Sequence, residues 1–283
     1  RGHGMNRSPL LNVMMAAAHK AARGLIRDFG ELEHLQVSRK GPADFVSKAD
    51  YRAEKVLRGE LKKARPAFGL LTEESGNEVG SDTSNRWIVD PLDGTTNFLH
   101  GIPHFAISIA VERDGEPYAG VIYSPIPDEM YVAEKGLGAY MNGRRLRVSA
   151  RRNMSEALFA TGVPFLGLDE HDLFIRQLRS VMAVCAGIRR FGSAALDLSY
   201  VAAGRYDGYW ENGLSQWDTA AGIVLLREAG GFVSDLAGGH RVVTGSGIIA
   251  ANSELFSPLS KLIRNAAPAA SIDQGSDKHA LRG

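Results

Sequence analysis

Apolar positions recur at helical spacing through Leu10–Phe29, with His19, Lys20, Arg23, Arg27 and Asp28 distributed along the stretch. This predicts an amphipathic helix ending near Gly30. Its internal charges, and the lack of a compact apolar block before a small-residue cleavage site, argue against a signal peptide. Gln36–Asp44 contains Lys40, Gly41 and Pro42 and reads as a loop. A second helical pattern runs from about Asp50 to Ala64, with Pro66 just beyond it. Phe68–Thr72 and Arg86–Asp90 read as short strands.

From Ala106 the period changes to two. Ala106–Glu112, Ala119–Ser124, Met130–Glu134 and Ala139–Val148 are predicted strands, with Asp114-Gly115 and Asn142-Gly143 as turns. That pattern is antiparallel, not doubly wound. Past about Ala150 strands and helices alternate. Helices are expected at Glu170–Val184, Ala194–Ala203 and Trp217–Ala229, and strands at Tyr206–Glu211, Phe232–Asp235 and Ile248–Ala251. Ser253 is placed to cap a last helix. The chain therefore divides into an N-terminal α+β region at 5–150, a C-terminal α/β region at 151–267, and a flexible polar tail at 268–283. Arg1–Gly4 precede Met5 and are set aside as a vector remnant.

Composition narrows the functional classes. The 33 Lys and Arg offset 32 Asp and Glu, so no bulk field selects a polyanion, and direct nucleic-acid binding is not expected. An anionic substrate must be held by local devices. No run of about 18 apolar residues occurs, so no membrane span is expected. The single cysteine, Cys185, excludes an intrachain disulfide and suits a reducing, cytoplasmic setting.

The candidate chemistry lies in Trp87-Ile88-Val89-Asp90-Pro91-Leu92-Asp93-Gly94-Thr95-Thr96-Asn97-Phe98. An apolar strand delivers Asp90, and a turn delivers Asp93, close enough for both to share a cation. Hard carboxylate oxygens select Mg2+ or Mn2+ over zinc. A short helix starting near Thr95 would turn unpaired amides of Gly94, Thr95 and Thr96 toward phosphate oxygens. Alone, an Asp-x-x-Asp-Gly-Thr string also suits an ordinary turn or cap. Glu73-Glu74 alone is ordinary surface charge, and Asp218 alone a favourable first-turn acid. Their repetition at three element ends favours phosphoryl chemistry around two or more cations. His100 and His104 lie four apart, but Pro103 between them and the lack of an adjacent Glu argue against a zinc site.

The Asp90–Phe98 and Trp217–Gly222 stretches, about 125 residues apart, resemble the two signatures of the inositol monophosphatase family. Val46–Asp50, Thr72–Glu74 and Phe191–Ala195 extend the likeness over Leu10–Leu262. The resemblance implies a layered αβαβα sandwich of the sugar phosphatase type and a homodimer. It further implies Mg-dependent hydrolysis of a phosphate monoester, inositol 1-phosphate first, with two to three Mg2+ per subunit, Mn2+ as a substitute and Li+ as an inhibitor. By that resemblance, Glu73, Asp90 and the Leu92 carbonyl hold one metal, and Asp90, Asp93 and Asp218 a second. Glu73 helps hold a third.

Gly94 and Thr95 amides would bind phosphate. Thr95, Asp50 and Glu73 would position the attacking water. Asp93, Gly192, Ser193, Ala194 and Glu211 would meet the substrate's hydroxyls. Lys40 matches a lysine near the metals and equally suits a plain surface position. Histidinol phosphate, or another sugar or nucleotide phosphate, is the alternative substrate. A role as a transcription antitermination partner is the alternative of another class.

Overall fold

The computed structural model describes residues 8–31, 37–39, 45–164, 171–239, 242 and 247–266. In chain order the elements begin with α1 (Pro9–Gly30), β1 (Val37–Arg39), β2 (Phe45–Ser47), α2 (Lys48–Ala64), β3 (Phe68–Thr72) and β4 (Gly76–Glu78). There follow β5 (Asp82–Asp93), α3 (Thr95–Leu99), β6 (Ala106–Arg113), β7 (Glu116–Ser124), β8 (Glu129–Glu134), β9 (Gly138–Met141) and β10 (Arg144–Arg145). Beyond these lie β11 (Leu158–Thr161), α4 (His171–Met182), β12 (Gly187–Arg189), α5 (Ala194–Ala202) and β13 (Gly208–Asn212). The last four are α6 (Gln216–Glu228), β14 (Phe232–Ser234), β15 (Gly247–Ala251) and α7 (Ser253–Asn265).

Period-two alternation sorts the strands' side chains into layers. Trp87 and Val89 of β5 join α1 and α2 in one core, whereas Ile88 between them joins α5 and α6 in another. Tyr209, Ile248 and Ala250 of β13 and β15 line that middle core, and Trp210, Ile249 and Ala251 face a third, with α7. The layers therefore run α1/α2, eight-stranded sheet, α5/α6, five-stranded sheet, α4/α7, the αβαβα sandwich that the motifs implied. Strand order is β10-β9-β8-β7-β6-β5-β3-β4 in the large sheet and β12-β11-β13-β15-β14 in the small one. Side chains such as Trp87 and Trp210, fully buried, each contribute about 1.5–3 kcal/mol of transfer free energy. Polar stitches fix the layers. Arg52 of α2 donates to buried Asp28 of α1 at 2.5 and 3.1 Å, and Arg86 forks onto Glu112 while also reaching Gln216 at the start of α6.

Several expectations need correction. Gln36–Asp44 is not all loop, because Val37–Arg39 pairs antiparallel with Phe45–Ser47. The strands expected from Ala106 onward do pair antiparallel, β6 through β10, while β3 and β5 ahead of them run parallel. The strand expected at Arg86–Asp90 extends to Asp93, with a register shift between Asp90 and Asp93 where Pro91 has no N–H to give. Asn252, not Ser253, caps α7, its Oδ1 accepting from Glu254 and Leu255 amides. Ala139–Val148 is broken at Asn142, whose φ of 47° places it in the left-handed region of a tight turn. Strands β11 and β12 had no sequence signal strong enough to mark them. Lys40 and the tail at 268–283 lie outside the described residues. Among the described residues no helix is long and apolar enough to cross a membrane.

Candidate active site

Three element ends converge on one cavity of ≈ 350 Å3. The end of β3 passes Glu73 and Glu74 into a turn, the irregular end of β5 presents Asp90 and Asp93, and the first turn of α6 presents Asp218. Glu73, Asp90, Leu92, Asp93, Gly94, Thr95, Gly192, Ala194, Glu211 and Asp218 all line it. Two of the expected site residues stand behind the wall. Ser193 is buried as the N-cap of α5, and Asp50 is buried in the first turn of α2.

The carboxylates form two groups. One oxygen from each of Asp90, Asp93 and Asp218 lies within 4.8 Å of the other two, and the same holds for Asp50, Glu73 and Glu74. Crowding of this kind disfavours ionisation. Burial, then the neighbouring charges of Glu73, Asp93, Asp218 and Asp50, holds Asp90 well above the usual carboxylate range. Burial and the Asp93 charge do the same to Asp218. Asp93 is pushed up to about 6 by burial, against the opposing bonds from Ser193 and Ala195. An all-oxygen donor set this dense fits a hard divalent cation, whose charge would return these groups to their ionised forms.

The three acids of the first group are also held from behind. Asp90 Oδ1 accepts from the Leu92 amide at 2.9 Å, and Asp218 Oδ2 accepts from the Ser215 amide at 2.7 Å. Ser193 Oγ and the Ala195 amide donate to Asp93 Oδ2 at 2.5 and 2.8 Å. Gly94 opens α3 at φ 91°, and a Cβ there would stand 3.0 Å from the His104 carbonyl, so only glycine suits both the backbone and the space. Thr95 Oγ1 donates to the Leu92 carbonyl at 2.8 Å, with Asp50 Oδ2 farther off at 3.5 Å.

Across the cavity Tyr209 donates its hydroxyl to Glu211. Burial pushes Glu211 up to about 7, opposed by that bond. His100 and His104 join neither carboxylate group. His100 Nδ1 lies 2.8 Å from the Thr96 carbonyl, and the His104 ring packs against Phe191.

Some residues of the site were not foreseen. Glu74 belongs to the second carboxylate group, which its place beside Glu73 could have signalled. Glu54 of α2 is buried and accepts from the Glu74 amide at 3.1 Å and from Ser75 Oγ. Its position four residues after Asp50, on the same helical face, was the available clue. Asn97 and Arg190 line the cavity too. For Arg190 nothing local in the sequence indicated this.

The sequence profile of the inositol monophosphatase family matches residues 6–267. A Mesorhizobium japonicum protein named inositol-1-monophosphatase is 57% identical over 260 residues, covering 92% of this chain and 98% of that protein. A Pseudomonas aeruginosa protein named Nus factor SuhB is 44% identical over 255 residues, covering 89% and 94%. The crystal structure of extragenic suppressor protein suhB from Bartonella henselae superposes with a TM-score of 0.89 at 56% identity, covering 92% of this chain and 100% of that one.

Proposed function

The chain belongs to the inositol monophosphatase family, a family of phosphoric monoester hydrolases, and from that premise we propose that it hydrolyses inositol 1-phosphate to inositol and phosphate, using Mg2+. The observation that carries this reading is the meeting of Glu73, Asp90, Asp93 and Asp218 in one cavity beside the glycine-opened start of α3.

In this reading Glu73, Asp90 and the Leu92 carbonyl hold a first Mg2+. Asp90, Asp93 and Asp218 hold a second, and Glu73 helps hold a third. Mn2+ is an acceptable substitute, and Li+ an inhibitor. Bound there, such cations neutralise phosphate oxygens, lower the pKa of a water and stabilise the departing alkoxide. The protein's own groups supply position. The amides of Gly94 and Thr95 orient the phosphate, and Glu73 with the Thr95 hydroxyl aligns a water with the scissile P–O bond. Thr95 must turn its one hydroxyl hydrogen from Leu92 if Asp50 is to direct it. Water oxygen joins phosphorus as the ester oxygen leaves and takes a proton, so no phosphorylated enzyme forms. On the leaving-group side Asp93, Gly192, Ala194 and Glu211 meet the ring hydroxyls, with Ser193 behind them steadying Asp93, and an ionised Glu211 is suited to accept from two of them. The proposal places this enzyme in the cytoplasm as a homodimer.

The likeness to a protein named Nus factor SuhB favours a second reading, a partner in transcription antitermination. Pull-down with RNA polymerase factors tests it. An Asp218→Asn variant that keeps the cellular effect would separate it from catalysis.

The main test assays phosphate release from inositol 1-phosphate, histidinol phosphate, fructose 1,6-bisphosphate and adenosine 3′,5′-bisphosphate, with Mg2+ and with chelator. The expected result is metal-dependent turnover with inositol 1-phosphate preferred. Activity that survives chelation overturns the metal assignment, and preference for another ester overturns the substrate.

A further inference from the structure

We propose that Asn97 is a positioning residue that fixes the leaving-group loop at 191–193 relative to the phosphate-binding start of α3, and so governs how well the enzyme reads the substrate's hydroxyls. This rests on the phosphatase reading above and goes beyond it, because Asn97 needs no contact with substrate to act.

Asn97 lies in α3 and is buried. Its side-chain nitrogen carries two hydrogens, and three backbone carbonyls converge on it: Phe191 at 2.7 Å, His104 at 2.8 Å and Gly192 at 3.4 Å. A planar amide can satisfy the two nearer oxygens and share the third. Both sides of that grip matter. The His104 carbonyl packs beside Gly94, so one side anchors the Asn97 amide next to the phosphate-binding turn, a turn that α3 itself holds through the bond from the Phe98 amide to the Gly94 carbonyl. Phe191 and Gly192 belong to the segment leading into α5, so the other side fixes the wall that faces the leaving group.

The second connection between these segments is Asp93, bonded to Ser193 and Ala195. Residues 191–195 are thus held at one end by Asn97 and at the other by Asp93. Asp93 belongs to the metal site, so it cannot be removed without losing the chemistry. Asn97 can. Asp90, Asp93 and Asp218 are held by Leu92, by Ser193 and Ala195, and by Ser215, and the Gly94 carbonyl by the Phe98 amide, whereas the Phe191 and Gly192 carbonyls share the one Asn97 amide. Removing it would leave phosphate and metal contacts in place and let the hydroxyl-reading wall drift. A shift of about 1 Å at such a wall costs as much as 100-fold in rate when the substrate depends on it.

The test compares two substrates at saturating Mg2+. Inositol 1-phosphate has a leaving group rich in hydroxyls, and p-nitrophenyl phosphate has none to read. Asn97→Ala removes both donors. Asn97→Leu does so while keeping the branch at Cγ, and gives a second chance of a folded protein. For both, kcat/KM on inositol 1-phosphate should fall about tenfold or more, chiefly through KM. On p-nitrophenyl phosphate it should stay within about twofold, with the half-saturating Mg2+ concentration unchanged. Equal losses on the two substrates, or no loss on either, overturns the inference while leaving the phosphatase reading intact. Two variants that both fail to fold assign Asn97 to stability, which overturns it too. A wild-type enzyme inactive on both substrates sinks the phosphatase reading itself, and this inference with it.

Discussion

Asp93 Oδ2 accepts a 2.8 Å hydrogen bond from the backbone amide of Ala195, 102 residues further along the chain. One carboxylate thus serves two ends. It faces Asp90 and Asp218, and it completes the N-terminus of α5, where Ser193 Oγ both donates to Asp93 and accepts from Leu196. Ser193→Ala removes the cap and one of the bonds that hold Asp93. A stability loss of about 1 kcal/mol in denaturant unfolding is expected, together with a lower kcat/KM on polyol phosphates. An unchanged unfolding midpoint would show that the cap carries no weight.

Asp90 is held well above the usual carboxylate range by burial and by four neighbouring acids. Such a group costs stability whenever it is ionised without a counter-charge. Asp90→Asn should abolish turnover and yet raise the melting temperature of the chelated protein at pH 8. Residual turnover above a few per cent of wild type would count against Asp90 as a metal ligand. A lower melting temperature would count against the repulsion argument.

The sequence made the two motifs legible because each acid sits at a boundary with strong local signals: an apolar strand before Asp90, and Trp217-Asp218 opening a helix. The helices and strands were legible through the switch between period two and helical spacing, whereas their five-layer order came only with the family resemblance. What failed was set at a distance. Val37–Arg39 is a strand through its pairing with Phe45–Ser47, beside a Lys-Gly-Pro that locally spells loop. Leu158–Thr161 and Gly187–Arg189 are three or four residues long and gain their identity from a parallel partnership. Glu54 and Gly162 act through atoms on other segments, and no window around either contains its partner, while Asn97 reaches His104 nearby but Phe191 and Gly192 only across more than 90 residues.

Gly162 shows how tight one such partnership is. A Cβ built on it would stand 1.9 Å from Glu211 Cδ and Oε1, an overlap that no rotamer change at residue 162 relieves. Gly162→Ala must therefore displace the Glu211 carboxylate from its place beside Tyr209. We expect KM for inositol 1-phosphate to rise about tenfold, with turnover of p-nitrophenyl phosphate nearly unchanged. Unaltered KM for the polyol ester would remove Glu211 from the hydroxyl-binding wall.

Glu54 supports the Glu73–Glu74 turn from α2 by accepting from the Glu74 amide and Ser75 Oγ. Without it the turn loses these two bonds, and the approach of Glu73 to the cavity loosens. For Glu54→Ala the half-saturating Mg2+ concentration should rise about 10-fold or more, as for other changes behind a metal ligand, with much of kcat recovered at high Mg2+. Titration of activity against Mg2+ measures this. A fall in kcat that no Mg2+ concentration restores would place the effect elsewhere.

Glu211 gives the site a pH signature that can be read as stability. Burial, opposed by the Tyr209 hydroxyl, pushes its carboxyl from the ordinary 4.5 up to about 7 in the folded chain. Below pH 4.5 the group is protonated in both folded and unfolded chains and contributes nothing. Between 4.5 and about 7 the folded chain binds the extra proton, so stability falls as pH rises through that window, and above 7 the full cost is present. Other acids, such as Glu129 beside Arg205, titrate in the opposite sense, so the contribution must be isolated. Glu211→Gln does this, since the amide imitates the protonated acid. With chelator present, the two proteins should unfold at similar denaturant concentrations at pH 4.5. The variant should become progressively the more stable up to about pH 7 and hold that margin to pH 8. A difference that stays flat across this range would mean that Glu211 is ionised at no cost, and that its wall of the cavity is far wetter than its burial implies.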